Sequence, residues 1–129
     1  MKSHRNLVPL SEYFSLDEFE SPDTGQVMID GVLFAALDDC RRAIAWRIEV
    51  TSGYRTAAHN RAVGGKPHSL HLIGAAADLV ISPADRRDAA IAFLRRVPAV
   101  LVMDVGDHLH VEVRGLGVPA ELVAVPAEA

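Results

Sequence analysis

Apolar positions recur along this chain with a period that switches between helical and extended. Leu33, Leu37, Cys40 and Ile44 follow one another at spacings of four, three and four, which predicts one buried stripe on a helix over about 31–47. Asp30 is placed to cap it, because its carboxylate can accept from orphan N–H groups of the first turn. Asp38 and Arg42 stand four apart on the polar side and predict an ion pair. Cys40 lies on the apolar stripe, so a buried and inert thiol is expected. Upstream, Ser15 and Glu18 have capping-box spacing, which predicts a helical turn over 15–20. Ser21 to Gly25 follows as a loop. Downstream, Glu49 to Thr51 predicts a short strand ended by Ser52-Gly53. Thr56 caps a short helix to Val63, with Gly64 in the left-handed stop position.

Residues 65–72 form a loop in this reading, and 75–81 a strand. A third helix follows, with Ser82 as cap, Pro83 at the first helical position and Asp85 two residues further in. Ala90, Ile91 and Leu94 supply its apolar side, with Phe93 at the margin. Arg95 and Arg96 sit where the helix dipole favours cations, and Pro98 prevents continuation. Val100 to Met103 and Leu109 to Val113 predict a hairpin around Gly106. Residues 1–14 are an extended lead-in, and the tail from Gly115 is an edge strand or a loose end. The order of elements predicts one α+β domain over 1–129, with helices packed on one face of a small, mainly antiparallel sheet.

Composition narrows the function classes. Half of the 129 residues are hydrophobic and 23% are charged, which excludes a disordered chain. A net charge of −4 leaves no global positive field, so no nucleic-acid partner is expected. The single cysteine excludes an intramolecular disulfide and a C-x-x-C metal knuckle. The apolar stretch Leu7 to Leu10 is short and contains Pro9, unlike a secretory signal, and no run approaches a membrane span. The expectation is a monomer made as a soluble cytoplasmic chain with no membrane partner, whose place of action differs if a partner exports or releases it.

The chemistry concentrates in the second half. Asp78 is a charge inside an otherwise apolar strand, where a carboxylate is costly unless paired or bound to a metal. His108 and His110 bracket Leu109, so both imidazoles project from one strand face. Two imidazoles and one carboxylate suit zinc and leave a fourth position for water, whereas calcium and magnesium prefer oxygen ligands. Asp107 is the candidate general base, able to take a proton from metal-activated water and pass it to a leaving amine. Its spacing of three from His110 points it to the opposite face of a regular strand, so the turn at Gly106 must redirect it. Arg55 offers a cationic fork for a substrate carboxylate or a developing oxyanion. No H-E-x-x-H is present, which excludes the common helical metalloprotease arrangement.

Ser69-Leu70-His71-Leu72-Ile73-Gly74-Ala75-Ala76-Ala77-Asp78 resembles the S-x-H-x-x-G-x-A-x-D signature of the D-alanyl-D-alanine carboxypeptidase and L-alanyl-D-glutamate endopeptidase family of zinc peptidases. Asp107-His108-Leu109-His110 resembles its second signature, and Ser52 to Arg55 with Asn60 and Gly64-Gly65 resembles the segment before the first. Phe14 to Phe19 is similar to the opening of small phage-associated members, so the likeness spans about 13–114. It implies a hedgehog-like α+β fold and one zinc ion bound by His71, Asp78 and His110. It implies that Asp107 is the base, that His108 steadies an oxyanion or intermediate, that Arg55 steadies the substrate and that Ser69 supports the site. His68, just ahead of the signature, is a candidate for lining the cleft. The substrates implied are peptidoglycan stem peptides containing D-amino acids, in an endolysin-like role that acts at the cell wall after release or within a phage particle. Glu20-Ser21-Pro22 departs from the family where many small members carry a cysteine, and no wall-binding module is recognisable. Two other readings compete: a catalytically silent zinc-bearing module for binding or phage assembly, and a dipeptidase for free D-Ala-D-Ala. For the histidines and Asp78, the plain alternative is two hydrogen-bonded imidazoles beside a buried ion pair.

Overall fold

Four strands, β1 (Glu49–Ser52), β2 (Ala76–Val80), β3 (Val100–Asp104) and β4 (Leu109–Val113), form one antiparallel sheet in the order β1-β2-β4-β3. The structure is a computed structural model that describes residues 6–114. The expected edge strand or loose tail from Gly115 and the first five residues of the lead-in lie outside the described residues. Alternation along the strands gives the sheet two unlike faces. Ala77 and Leu79 of β2 and Leu109 and Val111 of β4 are buried on one. Ala76, Asp78, His110 and Glu112, one residue out of phase, belong to the other and are buried too.

Helix α1 (Gly31–Ile44) packs against β4 and against helix α3 (Ala84–Leu94), which also covers β3. Leu33, Leu37, Cys40 and Ile44 are all buried, as their spacing predicts, and meet Ala90, Leu94 and the apolar strand face. Fully burying a leucine stabilises by about 1.5–3 kcal/mol, so this contact holds the sheet flat side to the helices. Asp30 caps α1 by accepting from the N–H groups of Val32 and Leu33 at 2.8 and 3.0 Å. Burial pushes the Cys40 thiol up to about 12.

Two short elements sit against the other part of the sheet. Helix α2 (Ala57–Ala62) is capped by Thr56, whose hydroxyl accepts from His59 N–H, and it packs against a 3-10 turn at Leu70–Ile73. That turn, expected only as loop, leans on β2. A second 3-10 turn, Leu16–Phe19, replaces the expected helical turn, with Ser15 N–H donating to Glu18 Oε2 at 2.7 Å.

Two boundaries differ from expectation. Helix α1 stops at Ile44 because Ala45 turns left-handed (φ 52°), so Trp46 and Arg47 lie beyond it. Pro83, not Ser82, is the cap position of α3, since its extended backbone (φ −76°, ψ −177°) keeps it outside the helix. The Ser82 carbonyl instead accepts from Trp46 Nε1–H at 2.7 Å, and the Asp85 carboxylate accepts from the next residue's N–H.

Candidate metal centre

Strand register brings the first two candidate residues together. Asp78 of β2 is paired directly with His110 of β4 and, on its other side, with Ser52 of β1. His110 Nδ1 lies 3.0 Å from Asp78 Oδ1. The third arrives from the 3-10 turn. Ser69, buried, accepts from His71 N–H at 3.1 Å, and Gly74 closes the turn in the left-handed region (φ 71°). Those two constraints set His71 Nε2 3.3 Å from Asp78 Oδ1. His71, Asp78 and His110 are all buried, and one ligand atom from each lies within 4.8 Å of the others.

The segment after β1 completes the wall. Tyr54 N–H donates to Phe19 O at 2.8 Å and Arg55 N–H to His71 O at 3.0 Å. The chain passes so close that a Cβ on Gly53 would lie 2.7 Å from the Phe19 backbone. Gly53 O is 2.7 Å from His71 Nδ1. A carbonyl can only accept, so Nδ1 carries the hydrogen and Nε2 of the neutral ring holds a lone pair. His71 Nε2 has no hydrogen-bond partner among the described residues, although it is buried. A buried ring nitrogen without a hydrogen-bond partner, facing a carboxylate oxygen and a second imidazole, fits a cation. Two nitrogens and one carboxylate oxygen are a zinc donor set with a further position to spare.

Burial by itself raises Asp78, but the His110 and His71 rings beside it outweigh that and hold the carboxyl well below the usual carboxylate range. Burial opposes protonation of His110, yet its hydrogen bonds to Asp78 and Glu112 and their charges raise it above the ordinary histidine value.

The other predicted residues take different stations. Arg55 is buried: Nη2 lies 3.3 Å from Asp78 Oδ2, Nε donates to Ser52 Oγ at 3.1 Å and Nη1 to Asn60 Oδ1 at 3.2 Å. The fork thus grips the oxygen of Asp78 that faces away from the imidazoles. Asp107 and His108 both precede β4, so strand parity does not govern Asp107. The Asp107 carboxylate is 90% exposed and lies 2.7 Å from His108 Nδ1, while His108 Nε2 is 3.8 Å from Asp78 Oδ1. His68 is exposed on the approach to the 3-10 turn.

Two contributors were not foreseen. Glu112, wholly buried, has Oε1 2.8 Å from His110 Nε2. Its signal was available, since it stands two residues past His110 as a charge in an apolar strand. Arg87 of α3 pairs with Asp104 and donates to the carbonyls of Gly106 and His108, which anchors the turn that carries Asp107. Nothing in the local sequence announces that contact.

A buried group of two imidazoles and one carboxylate, from two antiparallel strands and the adjoining 3-10 turn, defines a site able to hold a metal ion. A family profile described as Peptidase M15 matches residues 13–112, and the chain belongs to that family of zinc-dependent, D-Ala-D-Ala carboxypeptidase-like peptidases. Its α+β fold is the one that family membership calls for. Comparisons with curated proteins and with solved structures give no match.

Proposed function

We propose that the protein hydrolyses peptide bonds in bacterial peptidoglycan stem peptides containing D-amino acids, with one zinc ion held by His71, Asp78 and His110. The observation that carries this reading is the partnerless buried Nε2 of His71 facing Asp78 Oδ1 beside His110. Zinc bound there supplies Lewis acidity, which polarises a scissile carbonyl and makes water nucleophilic near neutral pH.

The chain's own residues do the rest. Asp107 takes the proton of the attacking water and returns it to the leaving amine. Its hydrogen bond to His108 gives that proton a resting place on the pair. While the pair holds it, His108 Nε2–H is a donor for oxyanion charge on the substrate. Arg55 holds Asp78 turned from behind, and Ser69 fixes the backbone at His71. His68, exposed just ahead of the 3-10 turn, is assigned to the lining of the cleft.

The test is digestion of purified peptidoglycan by zinc-loaded protein, with new amino and carboxyl termini identified by mass spectrometry. Cleavage at stem-peptide bonds that stops on chelation is the expected result. Stoichiometric zinc without any new terminus overturns the reading and favours a silent zinc-bearing module. Cleavage of free D-Ala-D-Ala alone makes the protein a dipeptidase.

A further inference from the structure

The His110 ring is held from both sides. Nδ1 lies 3.0 Å from Asp78 Oδ1 and Nε2 lies 2.8 Å from Glu112 Oε1. Glu112 stands two residues along β4, on the same face, with none of its surface exposed. Arg114, two residues further, places Nε 2.7 Å from Glu112 Oε2. Burying a carboxylate and pairing it with an arginine gains little stability over an apolar side chain. The line Asp78–His110–Glu112–Arg114 therefore calls for another explanation.

We infer that Glu112 is a positioning residue for the metal. The inference rests on the zinc reading above. Both flanking carboxylates only accept; a cation between His110 and Asp78 would displace the Nδ1 hydrogen while Glu112 keeps that of Nε2, so the ring would meet the cation through Nδ1. Arg114 sets its cation against the Glu112 oxygen that does not face the ring. His71 is set by the opposite atom: Gly53 O takes Nδ1–H and leaves Nε2. The two rings thus reach one point through different nitrogens because their anchors lie on different sides, a strand neighbour for His110 and a loop carbonyl for His71.

The test compares full-length wild type with Glu112→Gln and Arg114→Met. Zinc affinity is read by competition with a chromophoric chelator, geometry by the visible spectrum of the cobalt-substituted protein, and the His110 nitrogen that keeps its hydrogen by 15N NMR of the zinc-loaded protein. Glu112→Gln is expected to weaken zinc by about 10–100-fold, the usual effect of losing such a partner. It is also expected to alter the cobalt spectrum and release the Nε2–H tautomer, while Arg114→Met shifts affinity in the same direction by less. If Glu112→Gln does not fold, Glu112→Asp, which withdraws the carboxylate by one methylene, is read in the same way. A folded variant with wild-type zinc affinity and cobalt spectrum overturns the inference alone. Wild type that binds no zinc overturns the zinc reading, and this inference with it.

Discussion

Asp78 and His110 face each other across β2 and β4 as a direct antiparallel pair, with His110 Nδ1 3.0 Å from Asp78 Oδ1. Every other group of the site is placed relative to that pair. His71 and His108 approach the same carboxylate oxygen at 3.3 and 3.8 Å, while Arg55 takes the other at 3.3 Å. Asp78→Asn is therefore expected to abolish stoichiometric zinc binding, measured by metal analysis after dialysis, while circular dichroism still reports a folded chain.

Arg55 has two readings that one variant separates. Both it and Asp78 have side chains only 8% exposed, so Arg55→Met strands a buried charge. Removing one partner of such a pair destabilises by about 3–5 kcal/mol, read here by denaturant unfolding of the metal-free protein. Arg55→Lys, which keeps the charge and loses the fork, is expected to fall between. Unchanged stability with a raised KM would instead make Arg55 the substrate fork that the family resemblance implies.

Asp107 is exposed and bonded only to its neighbour's ring among the contacts described, so its removal should leave the fold and the metal alone. Asp107→Asn is expected to lower kcat on a cleavable muropeptide by about 10²–10⁴-fold, the range for losing a general base. Zinc content should not change. Full activity in this variant would remove Asp107 from the mechanism.

Gly53→Ala tests the wall behind His71. The added methyl meets the Phe19 backbone at 2.7 Å, and backbone cannot move aside as a side chain would. The expected cost is about 1–3 kcal/mol of stability, the usual figure for overpacking. Because Gly53 O holds His71 Nδ1, zinc affinity should fall as well, measured by chelator competition.

The Cys40 thiol titrates at about 12 in the folded protein against an ordinary value of 9.0. It should resist a thiol reagent at pH 8 in the native state and react fully in guanidinium. The sign of the linked stability change follows from proton counts. Between those two values the unfolded chain loses the proton and the folded one keeps it, so stability declines as pH rises through that window. A flat unfolding midpoint across it would contradict the assignment.

The chain's own order of residues determined a good part of this protein. The 4-3-4 spacing of Leu33, Leu37, Cys40 and Ile44 is enough to specify a helix and its buried side, because helical periodicity is local. The same holds for the β3–β4 hairpin and for Asp30 as a cap. The ligand types were visible too, since a charge in the apolar run around Asp78 has few other uses. What only the tertiary structure decided were the relations between distant segments. Nothing near Ser82 reveals that Trp46 occupies its carbonyl, or that the extended backbone of Pro83 makes that residue the cap. Nothing near Arg55 shows that its fork turns inward to Asp78, or that Arg87 reaches across to hold the turn of Asp107. Glu112 lies between these cases, with a parity that could be read from the strand but a partner that depended on burial. Local spacing sets which face a side chain joins, whereas its partner across that face depends on sheet register and packing, which no single segment contains.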